Sequence, residues 1–224
     1  MSLFANRDDA GRRLAAALAE YGADRDPVVL AFPRAVPIAY QVATRLQIPM
    51  DVYQVNLLAV PGHPGLAMGA VASDTSYVVD QALIDDGVVT QSEYLHAMTR
   101  EAAVLRAEEN EIGDGRDFDL EGRTVLLIDD GLASGTDAYE AARALRTRRP
   151  ARIVIAAPVV SHAALRLLET IADDVVFLEK PEPFHGVDAY YADLPPVGNA
   201  EVRAALELVE ERLQRTTAEV PHPH

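Results

Sequence analysis

The chain has 224 residues, enough for a buried core in one domain or in one domain with a small appended hood. Its formal net charge of −15 argues against binding to nucleic acids or anionic membranes, and the absence of cysteine excludes disulfides and thiolate metal sites. No apolar run approaches the roughly 18 residues of a membrane-spanning helix, and the first residues lack the apolar core of a signal peptide. We therefore expect a soluble, cytoplasmic protein.

The first part of the chain alternates between helical and strand patterns. Arg7 to Tyr21 carries apolar residues at helical spacing and predicts an amphipathic helix. Val28 to Phe32 is an apolar run typical of a buried strand, and the loop Pro33 to Pro37 leads into a helix from Ile38 to Leu46. Because ligands of α/β folds bind at the carboxyl ends of such strands, Arg34 in this loop is a candidate to bind phosphate. A surface or ion-paired arginine is the alternative.

Strand and turn patterns follow. Asp51 to Leu58 alternates and indicates another strand, and Pro61 to Gly65 is a turn cluster. His63 in that cluster is either a donor to a phosphate or simply solvated. Met68 to Ala72 and Ser76 to Val79 predict a two-stranded ribbon.

The longest helix is predicted from Thr90 to Glu111. Thr90 and Glu93 have the spacing of a capping box at its start. An apolar stripe runs along the helix, formed by Tyr94, Leu95, Met98, Ala102 and Leu105. Such a stripe indicates a core contact or a dimer contact.

A central strand, two acids and a small-residue loop form the most informative pattern. Val125 to Ile128 predicts a strand buried on both faces, and Asp129 and Asp130 end it. The loop Gly131 to Thr136 leads into a helix from Ala138 to Arg148, where free N–H groups and the helix dipole favour an anion. Acids for ribose hydroxyls beside N–H groups for phosphate suit a sugar phosphate. The alternative is a helix N-terminus that the acids merely cap.

Two more strands complete the pattern. Arg152 to Ala157 and Val175 to Leu178 predict strands, separated by a helix from Ala163 to Ala172 with Ser161 as its N-cap. In total, five β runs separated by helices predict an α/β fold with a doubly wound, mainly parallel sheet of about five strands and a small hood.

The run from Val125 to Thr136 resembles the signature of the type I phosphoribosyltransferases, which bind phosphoribosyl pyrophosphate (PRPP). Three further stretches resemble blocks of a bacterial and archaeal branch of that family: Phe32 to Tyr40, Val60 to Ala70 and Glu179 to Phe184. The similarity extends from about Phe4 to Glu211, which is nearly the whole chain.

The resemblance implies a role for each residue of the predicted site. Asp129 and Asp130 would be the catalytic carboxylates that hold the ribose hydroxyls and contribute to a Mg²⁺ site. Arg34, Ala35 and Val36 would contact pyrophosphate. The 5′-phosphate would lie in the loop before the helix, formed by Gly131, Leu132, Ala133, Ser134, Gly135, Thr136 and Asp137.

The segment from Glu179 to Asp193 resembles the hood of purine-salvage members of the family. That likeness makes Phe184 the residue that stacks on an acceptor base, Lys180 its polar contact and Asp193 an outer metal contact. The alternative is a lid whose aromatic side chain packs on the core.

Three positions depart from the related sequences. The loop Pro33 to Pro37 is one residue shorter and lacks glycine, and Asn56 and Leu57 stand where relatives carry two cations. Asp137 stands where relatives carry threonine. We expect Asp137 to cap the N–H groups of the loop and thereby weaken phosphate binding.

Two functions remain open from the sequence. One is a PRPP-dependent transferase that acts on a nitrogenous acceptor, and the other is a non-catalytic or regulatory protein that binds a nucleotide or sugar phosphate. In both, the partner is a small phosphorylated molecule, and a homo-oligomer, most simply a dimer, is expected. The domain is predicted over residues 1–217, with hood parts near 60–118 and 179–200 and a flexible tail at 218–224.

Overall fold

The computed structural model describes residues 2–112 and 118–218, apart from the side chains of residues 64, 65 and 216–218. The helices are α1 (Arg7–Ala17), α2 (Val36–Leu46), α3 (Gln81–Asp85), α4 (Gln91–Ile112), α5 (Thr136–Thr147), α6 (His162–Leu168) and α7 (Asn199–Ala218). The strands are β1 (Val28–Ala31), β2 (Met50–Val52), β3 (Val55–Val60), β4 (His63–Ala72), β5 (Tyr77–Val79), β6 (Thr124–Ile128), β7 (Arg152–Val159) and β8 (Asp174–Glu179). The predicted tail beyond residue 218 lies outside the described residues.

Five strands form a central parallel sheet in the order β2-β1-β6-β7-β8. Successive residues of β6 face opposite sides of it, as the twofold periodicity of a strand requires. Leu126 and Ile128 join the core that includes α1 and α2, whereas Val125 and Leu127 join the core that includes α5 and α6. Both faces of the sheet are covered by helices, so the predicted doubly wound α/β fold is confirmed.

A second, antiparallel sheet has the strand order β3-β4-β5. The predicted ribbon corresponds to β4 and β5, which pair in antiparallel fashion with Ala70 opposite Val78. The single strand predicted from Asp51 to Leu58 is wrong, because β2 ends at Val52 in the central sheet and β3 begins at Val55 in the small one. This break places the small sheet beyond the edge strand of the large one.

Helix α4 packs on the small sheet. Tyr94 and Leu105 are buried in one cluster with Leu58 and Met68, whereas Leu95 is 45% exposed. Most of the apolar stripe is thus covered within the chain, and the stripe does not by itself require a second copy. The homodimer stays a prediction.

Several helix ends follow the predicted chemistry. Thr90 and Glu93 form the capping box, with Thr90 N donating to Glu93 Oε2 at 2.8 Å, and the Ser161 hydroxyl accepts from Ala164 N at 3.0 Å. Helix α1 ends earlier than predicted, and a 3₁₀ turn over Ala19–Ala23 follows it. Helix α7 was not predicted.

Within residues 2–112 and 118–218, no helix is both long and apolar enough to span a bilayer.

Candidate functional site

The loops that follow β1 and β6 meet at the carboxyl edge of the central sheet. They surround a cavity of about 390 Å³ lined by Arg34, Asp129, Asp130, the run from Gly131 to Ala138, Val187, Asp188 and Leu194. A second cavity, of about 410 Å³ between α2 and α7, contains none of the predicted site residues. The predicted acids, Arg34 and the loop therefore share one cavity.

The start of α5 has two features that suit an anion. Gly135 is its N-cap with φ 76°, a conformation that favours glycine, and no side chain caps the helix there. A Cβ at this position would lie 3.1 Å from the Ala164 side chain, so the loop also packs closely on α6. The first turn of α5 lines the cavity, and Thr136 N makes only a long contact of 3.3 Å, to the Ser134 hydroxyl, so this helix start suits a phosphate.

The beginning of the same loop packs against the hood. A Cβ on Gly131 would lie 2.6 Å from Cγ1 of Val187 and 3.0 Å from Cγ1 of Val159. Only glycine therefore allows the loop and the hood to approach this closely.

Asp129 is buried and paired with Arg34. Its carboxylate is 2% exposed, and Arg34 donates from Nε to Oδ1 at 2.8 Å and from Nη2 to Oδ2 at 2.6 Å. The backbone N–H of Asp130 also donates to Oδ1, at 2.8 Å. Both oxygens of Asp129 are thus engaged in this structure.

Asp130 is paired with an arginine from the first helix. Arg7 donates to Asp130 Oδ2 from Nη2 at 2.7 Å and from Nε at 3.2 Å. The Tyr191 hydroxyl donates to the backbone carbonyl of Asp130 at 2.6 Å. Sequence reasoning missed Arg7 and Tyr191, since no local pattern links either of them to Asp130.

Burial dominates the protonation behaviour of these groups. It raises the pKa of Asp129 to about 7, and the attraction of Arg34 opposes that rise only in part. Burial alone would lower the pKa of Arg34, but the nearby carboxylates, Asp129 first, raise it overall. Burial also raises the pKa of Tyr191, so its hydroxyl remains a donor.

Asp137 does not cap the loop, and this expectation was wrong. Its Oδ2 lies 3.6 Å from Arg34 Nη2, and its side chain is 50% exposed. Within the loop, Thr136 N instead donates to the Ser134 hydroxyl, over a long distance of 3.3 Å. Asp137 is therefore a third carboxylate around Arg34 and faces the place where a phosphate would bind.

The hood residues that line the cavity differ from those predicted. Phe184 packs against the Tyr190 ring with centroids 5.3 Å apart, as the lid alternative proposed, and Lys180 is exposed outside the lining. Val187, Asp188 and Leu194 line the cavity in their place.

Other candidates lie outside the cavity lining. Ala35 and Val36 are buried in the core, and Asp193 is exposed. His63 lies in β4, with its Nδ1 3.3 Å from the Pro61 carbonyl oxygen. In the part of the chain that the structure describes, no group of three or more His, Asp or Glu side chains could hold a metal ion.

In α/β proteins with a doubly wound sheet, ligands bind at the carboxyl ends of the strands, and a small-residue loop that opens a helix there suits a phosphate. The model of the phosphoribosyl transferase domain matches residues 3–193. The chain belongs to the phosphoribosyl transferase domain family.

Three known proteins are similar to this chain in sequence or structure. The chain is 34% identical over 210 residues to the "Putative phosphoribosyl transferase Rv0571c" of Mycobacterium tuberculosis, a match that covers 92% of this chain and 47% of that protein. It thus spans about half the length of this curated relative. The crystal structure of TT1426 from Thermus thermophilus superposes with a TM-score of 0.82 at 36% identity, covering 92% of this chain and 98% of that one. A ribose-phosphate pyrophosphokinase of Methanopyrus kandleri is 37% identical over 89 residues, 38% of this chain and 29% of that protein.

Proposed function

We propose that the protein binds PRPP and transfers its phosphoribosyl group to a nitrogenous acceptor with release of pyrophosphate. The observation that carries this proposal is the meeting of three chemically different groups around one cavity: the start of α5, the two acids after β6, and Arg34. The first suits a 5′-phosphate, the second ribose hydroxyls and the third pyrophosphate.

The reaction exchanges one bond at ribose C1 for another. The bond from C1 to the pyrophosphate oxygen breaks, a bond from C1 to the acceptor nitrogen forms, and the nitrogen releases a proton. Positive charge develops on the ribose as pyrophosphate departs, and the carboxylates of Asp129 and Asp130 lie where they would stabilise it. Arg34 would neutralise the departing pyrophosphate.

Binding of PRPP requires Arg34 to change partners. Arg34 is paired with Asp129 in this structure, but its side chain is 43% exposed and can turn toward a phosphate, provided that the ribose replaces it at the buried carboxylate. Its departure would release Oδ2 of Asp129 for the ribose, while Oδ1 would keep the hydrogen bond from the backbone N–H of Asp130. The ion pair between Arg34 and Asp129 would thereby be replaced by two contacts with the substrate, from Arg34 to a phosphate and from Asp129 to the ribose.

Asp129 and Asp130 supply the hard oxygen donors that Mg²⁺ prefers, so the residues fit this metal ion. Because the two carboxylates do not form a complete protein cage, substrate oxygens would provide the remaining ligands. The ion would neutralise charge on the pyrophosphate.

A non-catalytic PRPP-binding or sugar-phosphate-binding protein is a second candidate. One observation favours it: three carboxylates, those of Asp129, Asp130 and Asp137, already surround Arg34, the residue that pyrophosphate needs. Such a protein would use the same cavity but release no pyrophosphate.

Thermal unfolding and a pyrophosphate-release assay separate these functions. PRPP with Mg²⁺ should stabilise the wild-type protein by about 2.7 kcal/mol at a hundredfold excess over Kd. Pyrophosphate release is then measured with a panel of bases and amines. Arg34→Met should abolish both effects, whereas Arg166→Met, an exposed arginine of α6, should leave them unchanged. Stabilisation without pyrophosphate release would favour the binding protein, and no stabilisation by either PRPP or ribose 5-phosphate would contradict both functions.

A further inference from the structure

Arg7 is a buried arginine at the first position of α1. It is 8% exposed, although arginine is rarely buried without a partner. Its guanidinium contacts two groups: the carboxylate of Asp130, through Nε and Nη2, and the carbonyl oxygen of Pro195, to which Nη1 donates at 2.5 Å. One side chain thus joins the acid after the central strand to the end of the hood.

The contact divides the two oxygens of Asp130 between two partners. Both donors of Arg7 reach Oδ2, at 2.7 and 3.2 Å, whereas Arg34 Nε lies 3.5 Å from Oδ1. The two donors anchor Oδ2 and leave Oδ1 on the side of Arg34. Oδ1 therefore points toward Arg34 and the cavity that Arg34 lines.

The surroundings of Arg7 make this orientation rigid. The segment before α1 is hydrogen-bonded to the hood, with Ala192 N donating to Phe4 O at 2.8 Å and Asp193 N donating to Ala5 O at 3.0 Å. Tyr191 packs against the Phe4 ring and donates to the carbonyl of Asp130. Asp130 is thus held through its backbone and its carboxylate by one assembly.

The two arginines of the site differ in how easily they can leave. The side chain of Arg34 is 43% exposed, whereas that of Arg7 is 9% exposed and would have to give up the Pro195 carbonyl as well. Either departure leaves a buried carboxylate unpaired, which is costly, but Arg7 is itself buried and would also lose the Pro195 carbonyl, so its departure costs more. Arg34 is the exchangeable partner, and Arg7 is the permanent one.

We propose that Arg7 is a positioning residue for ribose recognition, which holds Asp130 so that Oδ1 is presented to a ribose hydroxyl. This inference rests on the proposed function, because it assumes that Asp130 binds the ribose. Arg7 itself touches no ligand. Its effect is confined to the sugar, since the phosphate lies in the loop before α5.

Three ligands separate the sugar from the phosphate: ribose 5-phosphate, 2-deoxyribose 5-phosphate and inorganic phosphate. A hydrogen bond to a charged group typically changes affinity about tenfold or more, so the wild-type protein should prefer ribose 5-phosphate over its deoxy analogue by that factor. Arg7→Met should reduce the preference to about threefold or less while the Kd for inorganic phosphate stays within about twofold. Arg12→Met is the matched control, because Arg12 lies on the same helix, is exposed and pairs loosely with Asp9 at 3.9 Å.

Arg7→Lys is the second variant and covers the case in which Arg7→Met does not fold. Lysine keeps the charge of arginine but not its planar fork. The preference of the Arg7→Lys variant for ribose 5-phosphate over the deoxy analogue should therefore lie between those of the wild type and Arg7→Met. The affinities are measured by NMR titration, with thermal unfolding as a check of folding.

Three results would overturn the inference. Full ribose preference in Arg7→Met, or in Arg7→Lys if only that variant folds, would show that Asp130 orients itself, and the proposed function would stand. A parallel loss of inorganic phosphate binding would show that Arg7 only maintains the structure. No ribose preference in the wild type would contradict the proposed function and this inference together.

Discussion

Arg34 and Asp129 form two parallel hydrogen bonds, at 2.8 and 2.6 Å, between a half-exposed guanidinium and a buried carboxylate. This fork joins the loop after β1 to the acid at the end of β6, so it links the proposed pyrophosphate and ribose subsites before any ligand binds. It also sets the cost of opening the site, because Asp129 is buried while Arg34 borders on solvent.

A double-mutant cycle measures that link. At pH 8, Arg34→Met should lower the free energy of unfolding by about 1–3 kcal/mol, since it leaves a buried carboxylate without its main donor. Arg34→Met combined with Asp129→Asn should recover much of this loss. Chemical unfolding of the four proteins in urea gives the coupling free energy, and additive effects of the two substitutions would contradict a direct link.

The pH dependence of stability tests the burial of Asp129. The pKa of Asp129 is about 7 in the folded protein, whereas its ordinary value of 3.8 applies to the unfolded chain. Between these two pH values the folded state keeps a proton that the unfolded state releases. Raising the pH from about 4 to 7 should therefore lower the contribution of Asp129 to the free energy of unfolding by at most about 1.4 kcal/mol per pH unit, with little further change in that contribution outside this window.

Asp129→Asn removes this titration and is the reference for it. Urea unfolding of both proteins in metal-free buffer at several pH values gives the difference in the free energy of unfolding. A difference that stays constant from pH 4 to 7 would show that Asp129 titrates normally.

The sequence was a good guide to features that depend on neighbouring residues. Val125 to Ile128 predicted the central strand because every residue in it is apolar, and the small residues after Asp130 predicted a loop that opens a helix. The caps at Thr90 and Ser161 were equally local.

Features that depend on distant contacts were not predictable in the same way. Arg7 lies 123 residues before Asp130, and an arginine in the first turn of an amphipathic helix has the sequence pattern of a surface residue. The helix dipole led us to expect Asp137 to cap the loop. The carboxylate lies instead beside Arg34, a contact between distant residues that the sequence does not reveal. The break between β2 and β3 is likewise set by which sheet each strand joins.

The approach of the hood to the loop predicts a compensating pair of substitutions. Gly131→Ala should cost about 1–3 kcal/mol of stability, because its Cβ would overlap the Val187 side chain. Adding Val187→Ala should restore much of that stability by removing the overlapping methyl groups. Gly198→Ala is the matched control, since nothing lies within 4 Å of a Cβ at that position.

Unfolding in urea gives the stability of the Gly131, Val187 and Gly198 variants. If Gly131→Ala is as stable as the Gly198 control, the hood does not rest on the loop as the structure describes. If Val187→Ala fails to rescue it, the cost arises from the backbone of the loop instead.

Asp137→Thr should strengthen the binding of PRPP and of ribose 5-phosphate. The carboxylate lies 3.6 Å from Arg34 Nη2 and lines the same cavity as the loop before α5, so it would compete for the arginine and repel a phosphorylated ligand. Two like charges about 4 Å apart repel by roughly 4 kcal/mol at an effective dielectric of about 20, an upper bound for a half-exposed group. The helix dipole returns only about 0.3–1 kcal/mol, so repulsion dominates. We expect the substitution to lower both Kd values at least about tenfold.

Glu121→Thr is the control for Asp137→Thr, because it removes the same charge from an exposed ion pair with Arg149 outside the cavity lining. Calorimetric titration at low and high salt provides the measurement, and the advantage of Asp137→Thr should shrink as salt screens the repulsion. Equal tightening by Glu121→Thr would attribute the effect to net charge. Unchanged affinity in Asp137→Thr would show that the carboxylate turns away when phosphate binds.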